Sequence, residues 1–421
     1  MLEKFSFKDR FFWILFLVLF SSGFVLFKSP FEFYFHYFIF ILLIPFLFFK
    51  YGIPKFLIQI LGVPLLIGLI HLPFENNNAF SFIKILGGLT ITLYFSWSWI
   101  SLIRFDINKI FTWYCMACWV ITVIAVIQII SFFIGFELGY NYSWFLNKWG
   151  FVEGGLVGFR VNSILSEPTY LATALAPATY VSINNFISKQ NYIFSRYQSV
   201  IIVIINLLTT SSIGYLGILI SILLCTQTIR IRYIFFGTVI SAITFNLAYN
   251  NVKDFRSRVD AAKGLWIDDD YGINNTNNSS FVLFNNLHIA KENLKRNPIF
   301  GTGLGSHETA FKKFTLTKTL LPYDFEFNIK DGNSLFIRLC TETGLLGLGF
   351  VLLVIARGFI YKVDIQKEHL LKHKIISQSL FVLLVLVLIR QGNYMLNGLP
   401  LLFLLYYYNG VQYKKSIVHE E

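Results

Sequence analysis

The stretch RVNSILSEPTYLA, residues 160–172, puts Arg160 and Glu167 where a polar segment meets an apolar one, with Pro168 directly after the glutamate. Further on, NSLFIRLCTETGLLG begins at Asn333 and carries Arg338 and Glu342 four residues apart, and LIRQGNYMLNG carries Arg390. Lys84 stands early in another apolar run. A guanidinium is a planar fork that binds phosphate oxygens in pairs, so several arginines gathered at one level suit a polyanionic group such as a diphosphate. Proline is tolerated in the first turn of a helix, so Glu167 is expected at an N-cap, where backbone N–H groups favour its charged form and lower its pKa. Each residue also has a plainer role. Glu167 can be a simple cap with Arg160 solvated beside it, Arg338 and Glu342 can neutralise one another on one helix face, and Arg390 can snorkel to the interface.

The elements that must hold these residues are membrane helices. Of 421 residues, 55% are hydrophobic, 18% are aromatic and only 14% are charged, far from the balance of a soluble domain. Apolar runs near the length needed to cross about 30 Å of hydrocarbon recur along the whole chain. They predict an all-α integral membrane protein, one polytopic domain over 1–421, with about twelve spans. These lie near 11–27, 33–49, 56–72, 83–103, 110–134, 168–186, 198–210, 212–227, 232–249, 333–356, 375–392 and 396–409. The seventh and eighth share one run broken only by TTSSIG. The first follows Lys4, Lys8 and Arg10 without a small-residue cleavage site and reads as a signal anchor.

With the N-terminus inside, most cations fall in inner segments, which predicts both termini in the cytoplasm. The formal charge of +12 is then topological and calls for no nucleic acid. Lys84, Glu167, Arg338, Glu342 and Arg390 all come out near the outer rim, and charge at that depth is costly unless it has a purpose. Cys115, Cys118, Cys225 and Cys340 fall in predicted spans, so no outer disulfide is expected. The Cys115–Cys118 pair reads as two small packing residues.

Two outer loops are long, 135–167 and 250–332. The larger holds eleven Lys or Arg against ten Asp or Glu, so it is polar and almost neutral. It reads as a small helical cap containing an amphipathic helix that begins at an N-cap pair, Ser279 and Ser280, and stops at Asn297–Pro298. GTGLG, residues 301–305, would follow a helix and not a strand, unlike a phosphate loop. Asp268, Asp269 and Asp270 read as a solvated loop tip, and His288 and His307 as surface histidines able to act as acid or base. No His or Cys set has zinc spacing, so neither metal nor cofactor is expected.

GFRVNSILSEPTYLA, LKRNPIFGTGLGS and NSLFIRLCTETGLLGLG, in that order around a long outer loop, resemble the Wzy-type O-antigen polymerases and the related O-antigen ligases of bacterial envelopes; IRQGNYMLNG is similar to a further block of theirs. The likeness covers the C-terminal two-thirds. It implies a GT-C-like, metal-independent glycosyltransferase of the bacterial inner membrane, working at the outer, periplasmic face on oligosaccharide carried by undecaprenyl diphosphate. Membrane lipids and a chain-length regulator protein would be its other partners. The ligases typically have a histidine before the tenth-span asparagine, where Gly332 stands here, so polymerase is favoured over ligase.

Glycosyl transfer needs a base for the attacking hydroxyl and cations for the departing diphosphate. Glu167 fits the base, with Arg160 beside it. Arg160, Arg338 and Arg390 fit the clamp, with Lys84 at the same rim and Glu342 orienting Arg338. Asn333, His307, Trp266, Tyr271 and Tyr323 could hold sugar, with His307 or Asp331 as a fallback base. A lipid-linked oligosaccharide flippase or a solute transporter shares the size and charge but should carry charges through the midplane and have shorter outer loops.

Overall fold

Apolar segments fold as helices because a helix satisfies every backbone polar group internally where lipid offers no partner. A computed structural model of the chain describes residues 9–29, 31–189, 191–226, 242, 243, 246, 249–251, 253–268, 278–318, 326–363 and 367–418. The predicted ninth span lies almost wholly outside these residues, as do Asp269, Asp270, Tyr271 and Tyr323.

The elements in order are α1 (Arg10–Phe20), β1 (Val25–Phe27), β2 (Phe33–Tyr34), α2 (Phe35–Tyr51), α3 (Lys55–His71), α4 (Ala79–Leu102), α5 (Ile107–Phe133), α6 (Glu137–Tyr140), α7 (Pro168–Ser188), α8 (Arg196–Leu208), α9 (Ser212–Cys225), α10 (Lys253–Trp266), α11 (Asn278–Arg296), α12 (His307–Phe314), α13 (Leu335–Gly358), α14 (Glu368–Arg390) and α15 (Leu399–Val418). Among the described residues the protein is all-helical apart from the β1–β2 hairpin and one isolated bridge, Glu153 to Phe159. Among the described residues four helices are long and apolar enough to cross a membrane: α4, α5, α13 and α14. The apolar helices α1, α2, α3, α8 and α9 have 11–17 residues. At 1.5 Å per residue α8, with 13, reaches only about 20 Å.

Three expected spans are remade by tertiary contacts. The first ends at Phe20 and not at 27, because the chain at Gly23 passes so close to another segment that a Cβ there would lie 2.6 Å from the Ile164 carbonyl oxygen. Residues 25–27 then pair with 33–34, and Val25 N donates to Asn147 Oδ1 at 2.8 Å. The tenth is interrupted at Gly344, which takes φ +60°. The last starts with a 3₁₀ turn over Leu396–Gly398 and runs on to Val418, well past 409. The amphipathic helix of the large loop is present as α11, but it begins at Asn278, so Ser279 and Ser280 lie in its first turn instead of capping it.

The break in α13 gives the GTGLG motif its role. Thr302 N and Gly303 N donate to the carbonyls of Thr341 and Glu342 at 3.2 and 2.8 Å. Beyond the break, Leu345 N and Leu346 N donate to Pro298 and Ile299 carbonyls at 2.9 and 3.0 Å. Orphan groups on both sides of the interruption are thereby satisfied, which is what lets irregular backbone sit among membrane helices. These amides are engaged by a helix and are not free to cradle phosphate. Only glycine fits: a Cβ on Gly301 would lie 2.6 Å from Gly344 N, and one on Gly344 2.5 Å from Gly301 N, both at positive φ. Gly344→Ala should therefore cost more than about 2 kcal/mol. Thermal unfolding of the detergent-solubilised protein reads this directly, and an unshifted melt would show that the crossing can relax.

The opposite device holds α7. Leu171, Ala172, Leu175, Ala176, Ala178 and Val181 are at most 1% exposed. Alanines there let α9 approach closely, with Gly214 facing Ala172 and Gly217 facing Ala176. Tyr114 of α5 donates to the Ala174 carbonyl at 2.6 Å and Cys118 reaches the same oxygen at 3.4 Å. All four cysteines are free and buried, and this pair serves packing. Enclosed on these sides, α7 gives its first residues a fixed position.

One end of the bundle gathers the segments 21–29, 31–34, 72–78, 134–167, 209–211, 297–318, 326–334 and 391–398. They are tied to one another by contacts such as Val161 N to Leu208 O, Asn77 Nδ2 to Leu304 O at 3.0 Å and Arg338 Nη1 to Gly392 O at 2.9 Å. Lys84, Arg160, Glu167, Arg338, Glu342 and Arg390 lie at this end.

Candidate functional site

The segment 159–166 is the floor of the site and is not a surface loop: Phe159, Val161, Asn162, Ser163 and Leu165 are at most 1% exposed. Its polar groups are taken up inside the bundle. Gln128, near the C-terminal end of α5, donates to Asn162 Oδ1 at 3.1 Å and accepts from Ser163 N at 2.9 Å, while Ser163 Oγ donates to the Ile121 carbonyl at 2.8 Å. Trp149 Nε1 closes the network on the Ser163 carbonyl at 2.7 Å. Buried and held through the bonds of Asn162 and Ser163, though with the Ser166 hydroxyl unpartnered, this segment delivers Arg160 at one end and Glu167 at the other.

Glu167 is the N-cap of α7 in extended conformation, but its side chain makes no capping bond. Among the described residues nothing hydrogen-bonds its carboxylate, which faces solvent from a recess at the bundle end. The low pKa expected of a capping carboxylate is therefore not found. Burial within the recess raises its pKa above the ordinary value, with Asp331 adding to the rise and Lys148, Arg390 and Arg160 opposing it. A carboxylate close to three cations yet harder to ionise than usual is suited to accept a proton.

Arg160 is half-buried, its Nε donating to the Thr209 carbonyl at 3.3 Å. Arg390 is the last residue of α14, half-buried, where the helix dipole favours a cation. Both act on Glu167. Arg338, expected to touch the ligand, is turned away from it. It is 3% exposed, pairs through Nε with Glu342 Oε1 at 2.8 Å, donates to the Gly392 carbonyl and lies 4.3 Å over the Tyr394 ring. Tyr394 in turn donates to Glu342 Oε2 at 3.0 Å. The two charges neutralise each other as the i, i+4 spacing allows, and together they clasp the start of α13 to the 391–395 turn. Asn333 has φ +56° and its backbone N–H donates to Asp331 Oδ1 at 3.1 Å, so it shapes the turn that presents Asp331. Lys84, on α4, is half-buried and has no hydrogen bond or ion pair among the described residues.

His307 is not a surface group. It is fully buried, with Nε2 2.9 Å from Asn286 Oδ1 and Nδ1 3.2 Å from Thr341 Oγ1, and its ring fills the space beside Gly332, where a Cβ would lie 2.9 Å from Nε2. Burial first and the Arg338 charge second push its pKa down to about 3. The unfolded chain takes up a proton near the ordinary value of 6.5 that the folded site refuses until about 3. Stability is thus complete above 6.5 and falls, by about 1.4 kcal/mol for each pH unit, as pH drops toward 3. Melting of the solubilised protein between pH 7 and 4.5 should show this slope, and His307→Gln should flatten it; parallel slopes would assign the acid lability elsewhere.

Four members of the site, Lys148, Glu32, Tyr34 and Lys330, escaped the sequence reading. Lys148 pairs with Glu32 and with the hydroxyl of Tyr34, a phenol that itself donates to Glu32 Oε2 at 2.7 Å. Burial works against the Glu32 charge, but the Lys148 and Tyr34 hydrogen bonds outweigh it and hold the carboxyl below its ordinary pKa. Lys330, exposed beside Asp331, acts on Glu32 as well. The signal that could have found Lys148 was its place in a loop otherwise poor in cations. Trp266 is 43% exposed and meets Phe284 edge-on, away from any bond to the charged group. Among the described residues no group of three or more His, Cys, Asp or Glu side chains could hold a metal ion. A scan against models of known protein families finds no match, and no curated protein matches the chain.

Proposed function

We propose that the protein is a polytopic glycosyltransferase of the bacterial inner membrane, a polysaccharide polymerase that moves an undecaprenyl-diphosphate-linked glycan onto a new lipid-linked repeat unit at the outer leaflet. The observation that carries the reading is Glu167: a carboxylate with free lone pairs and a raised pKa, fixed at the head of a buried helix and facing Arg160 and Arg390. Glu167 takes the proton of the attacking sugar hydroxyl. The oxygen of that hydroxyl bonds to the anomeric carbon as the bond to the carrier diphosphate breaks, and the departing oxyanions are met by the two guanidinium groups. The twelve crossings, the GT-C-like arrangement and the cytoplasmic termini belong to the same proposal, supported by apolar helices that alternate between a loop-rich end holding the site and an end rich in Lys and Arg.

A leaflet-resolved assay of a deletion strain tests it. Lipid-linked single repeat units should accumulate at the outer leaflet and surface glycan should shrink to one unit. Accumulation at the inner leaflet would make the protein a flippase, and lipid A core lacking even one unit would make it a ligase. Because the native cysteines are buried, Glu153→Cys gives a clean topology probe. Labelling of that thiol only from the cytoplasmic side would overturn the orientation.

A further inference from the structure

Residues 135–145 open the first of the two long loops, expected outside the membrane, yet the fold returns them to the side of α5. Gly135 takes φ +75° and Phe136 N donates to the Ser131 carbonyl at 2.9 Å, so the chain reverses directly at the helix end. It then runs back along the helix. A Cβ on Gly139 would collide with Ser131 Oγ, the Tyr140 ring meets Phe132 edge-on at 5.2 Å, and Gln128 Nε2 donates to the Tyr140 carbonyl at 3.1 Å. Gln128 lies five residues before Phe133, the last residue of α5, so Tyr140 stands roughly 8 Å back along the helix axis.

The outward side of this returning segment is apolar. Val123, Ile127, Ile130 and Ile134 are exposed and recur at helical spacing, a stripe along α5 that carries on past its end. Phe136, Leu138, Trp144 and Phe145 continue it, with Leu138 57% and Trp144 64% exposed. Glu137 is the one charge between Lys109 and Lys148. The polar groups, meanwhile, are closed on one another. Gly139 N and Asn141 N donate to the Phe136 and Glu137 carbonyls at 3.1 and 2.9 Å, and Leu146 N to the Tyr142 carbonyl at 2.9 Å. Trp144 Nε1 donates to the Leu138 carbonyl at 3.2 Å, and Asn141 Oδ1 accepts from Ser143 N and Oγ at 3.2 and 2.6 Å. A loop in water has no need to satisfy so many of its groups internally, whereas one at the depth of lipid does. An indole with its N–H bonded and its ring open is a side chain suited to the membrane interface.

We propose that residues 135–145 are embedded in the leaflet on the site's side of the membrane, with Phe136, Leu138, Trp144 and Phe145 packed against phospholipid just below the headgroups and Glu137 held among them. Continuity with the exposed stripe of α5, a helix long and apolar enough to cross a membrane, selects lipid as the occupant. The Phe132 ring that meets Tyr140 also lies 4.8 Å from the Phe159 ring, so the segment is a wall between the bilayer and the floor that carries Arg160 and Glu167. This placement requires α5 to span the membrane and does not require the protein to transfer sugar.

Nitroxide labels on the full-length protein in phosphatidylcholine vesicles test it. The native cysteines are buried, so Ile127→Cys, Leu138→Cys and Glu153→Cys each introduce one exposed thiol. Molecular oxygen, which concentrates in lipid, should collide with the labels at 127 and 138 several-fold more often than a water-soluble nickel chelate does. The order should reverse at 153. A label at 138 that favours the chelate while 127 favours oxygen would overturn the embedded segment and leave the crossing of α5 intact. Both labels favouring the chelate would overturn the crossing as well. A label at 138 shielded from both reagents and broadened by a neighbouring spin would replace lipid with a second copy of the chain. Trp144→Phe gives an independent reading. Among the eight tryptophans, the emission lost in this variant should be the part quenched by phosphatidylcholine brominated near the headgroup end of its chains, and aqueous iodide should leave that part untouched. Quenching by iodide with no effect of the brominated lipid would place Trp144 in water and overturn the proposal.

Discussion

On the proposed polymerase function, Glu167→Gln should slow polymerisation by about 100-fold or more while leaving the protein folded and at its normal level. The substitution preserves size and planarity, and no hydrogen bond is lost, since none reaches this carboxylate among the described residues. A helix cap worth keeping would have shown a bond to the N2 or N3 amide, and loss of such a cap costs only about 1 kcal/mol. Loss of a general base slows transfer by about 100-fold or more. The sign of the pH dependence follows from the environment. Burial and Asp331 raise the pKa, so the carboxylate is lost on acidification earlier than an ordinary glutamate, and the rate should fall on the acid side of neutrality. Glu167→Asp should retain part of the rate with the same acid limb. Glycan ladders of normal length from Glu167→Gln would place the chemistry with Asp331, the other carboxylate of the recess.

The second large effect is on stability. Arg338 and Glu342 are 3% and 0% exposed and are bonded to each other, to the Gly392 carbonyl and to Tyr394. A buried pair of this kind contributes little net stability over an apolar pair, but removing one partner strands the other charge and costs about 3–5 kcal/mol. Glu342→Gln should therefore lower the melting temperature sharply and reduce the amount of protein in the membrane. Arg338→Met combined with Glu342→Leu should recover much of that loss. If Glu342→Gln melted like the parent, the pair would be reached by water and Arg338 would again be open to a ligand. Because these two residues clasp the start of α13 to the turn after Arg390, the single variant should also misplace Asp331 and Arg390, so that activity falls further than protein level does.

The sequence alone determined the class of the molecule, for a physical reason: hydrocarbon thickness sets the length of apolar runs and the cost of burying charge keeps them clean, so helices α2 to α5, α7, α13 and α14 are visible as runs of hydrophobic letters. It also determined that Arg338 and Glu342 share a face and that Glu167 precedes a helix, since helical spacing and Pro168 are local facts. What it could not hold is anything decided by a partner far along the chain. Gly344 breaks its helix because Gly301 crosses it, residues 25–27 leave the helix because Ile164 and Asn147 come against them, and His307 is neutral because Asn286, Thr341 and Gly332 enclose it. Lys148 acquires its role only because the fold places Glu32, more than a hundred residues earlier, beside it. Only the tertiary structure sorted the charges into a sealed pair, Arg338 with Glu342, and an exposed carboxylate, Glu167, under the influence of Lys148, Arg390 and Arg160. That sorting depends on which groups exclude water from which, and exclusion of water is a property of packed neighbours and not of sequence spacing.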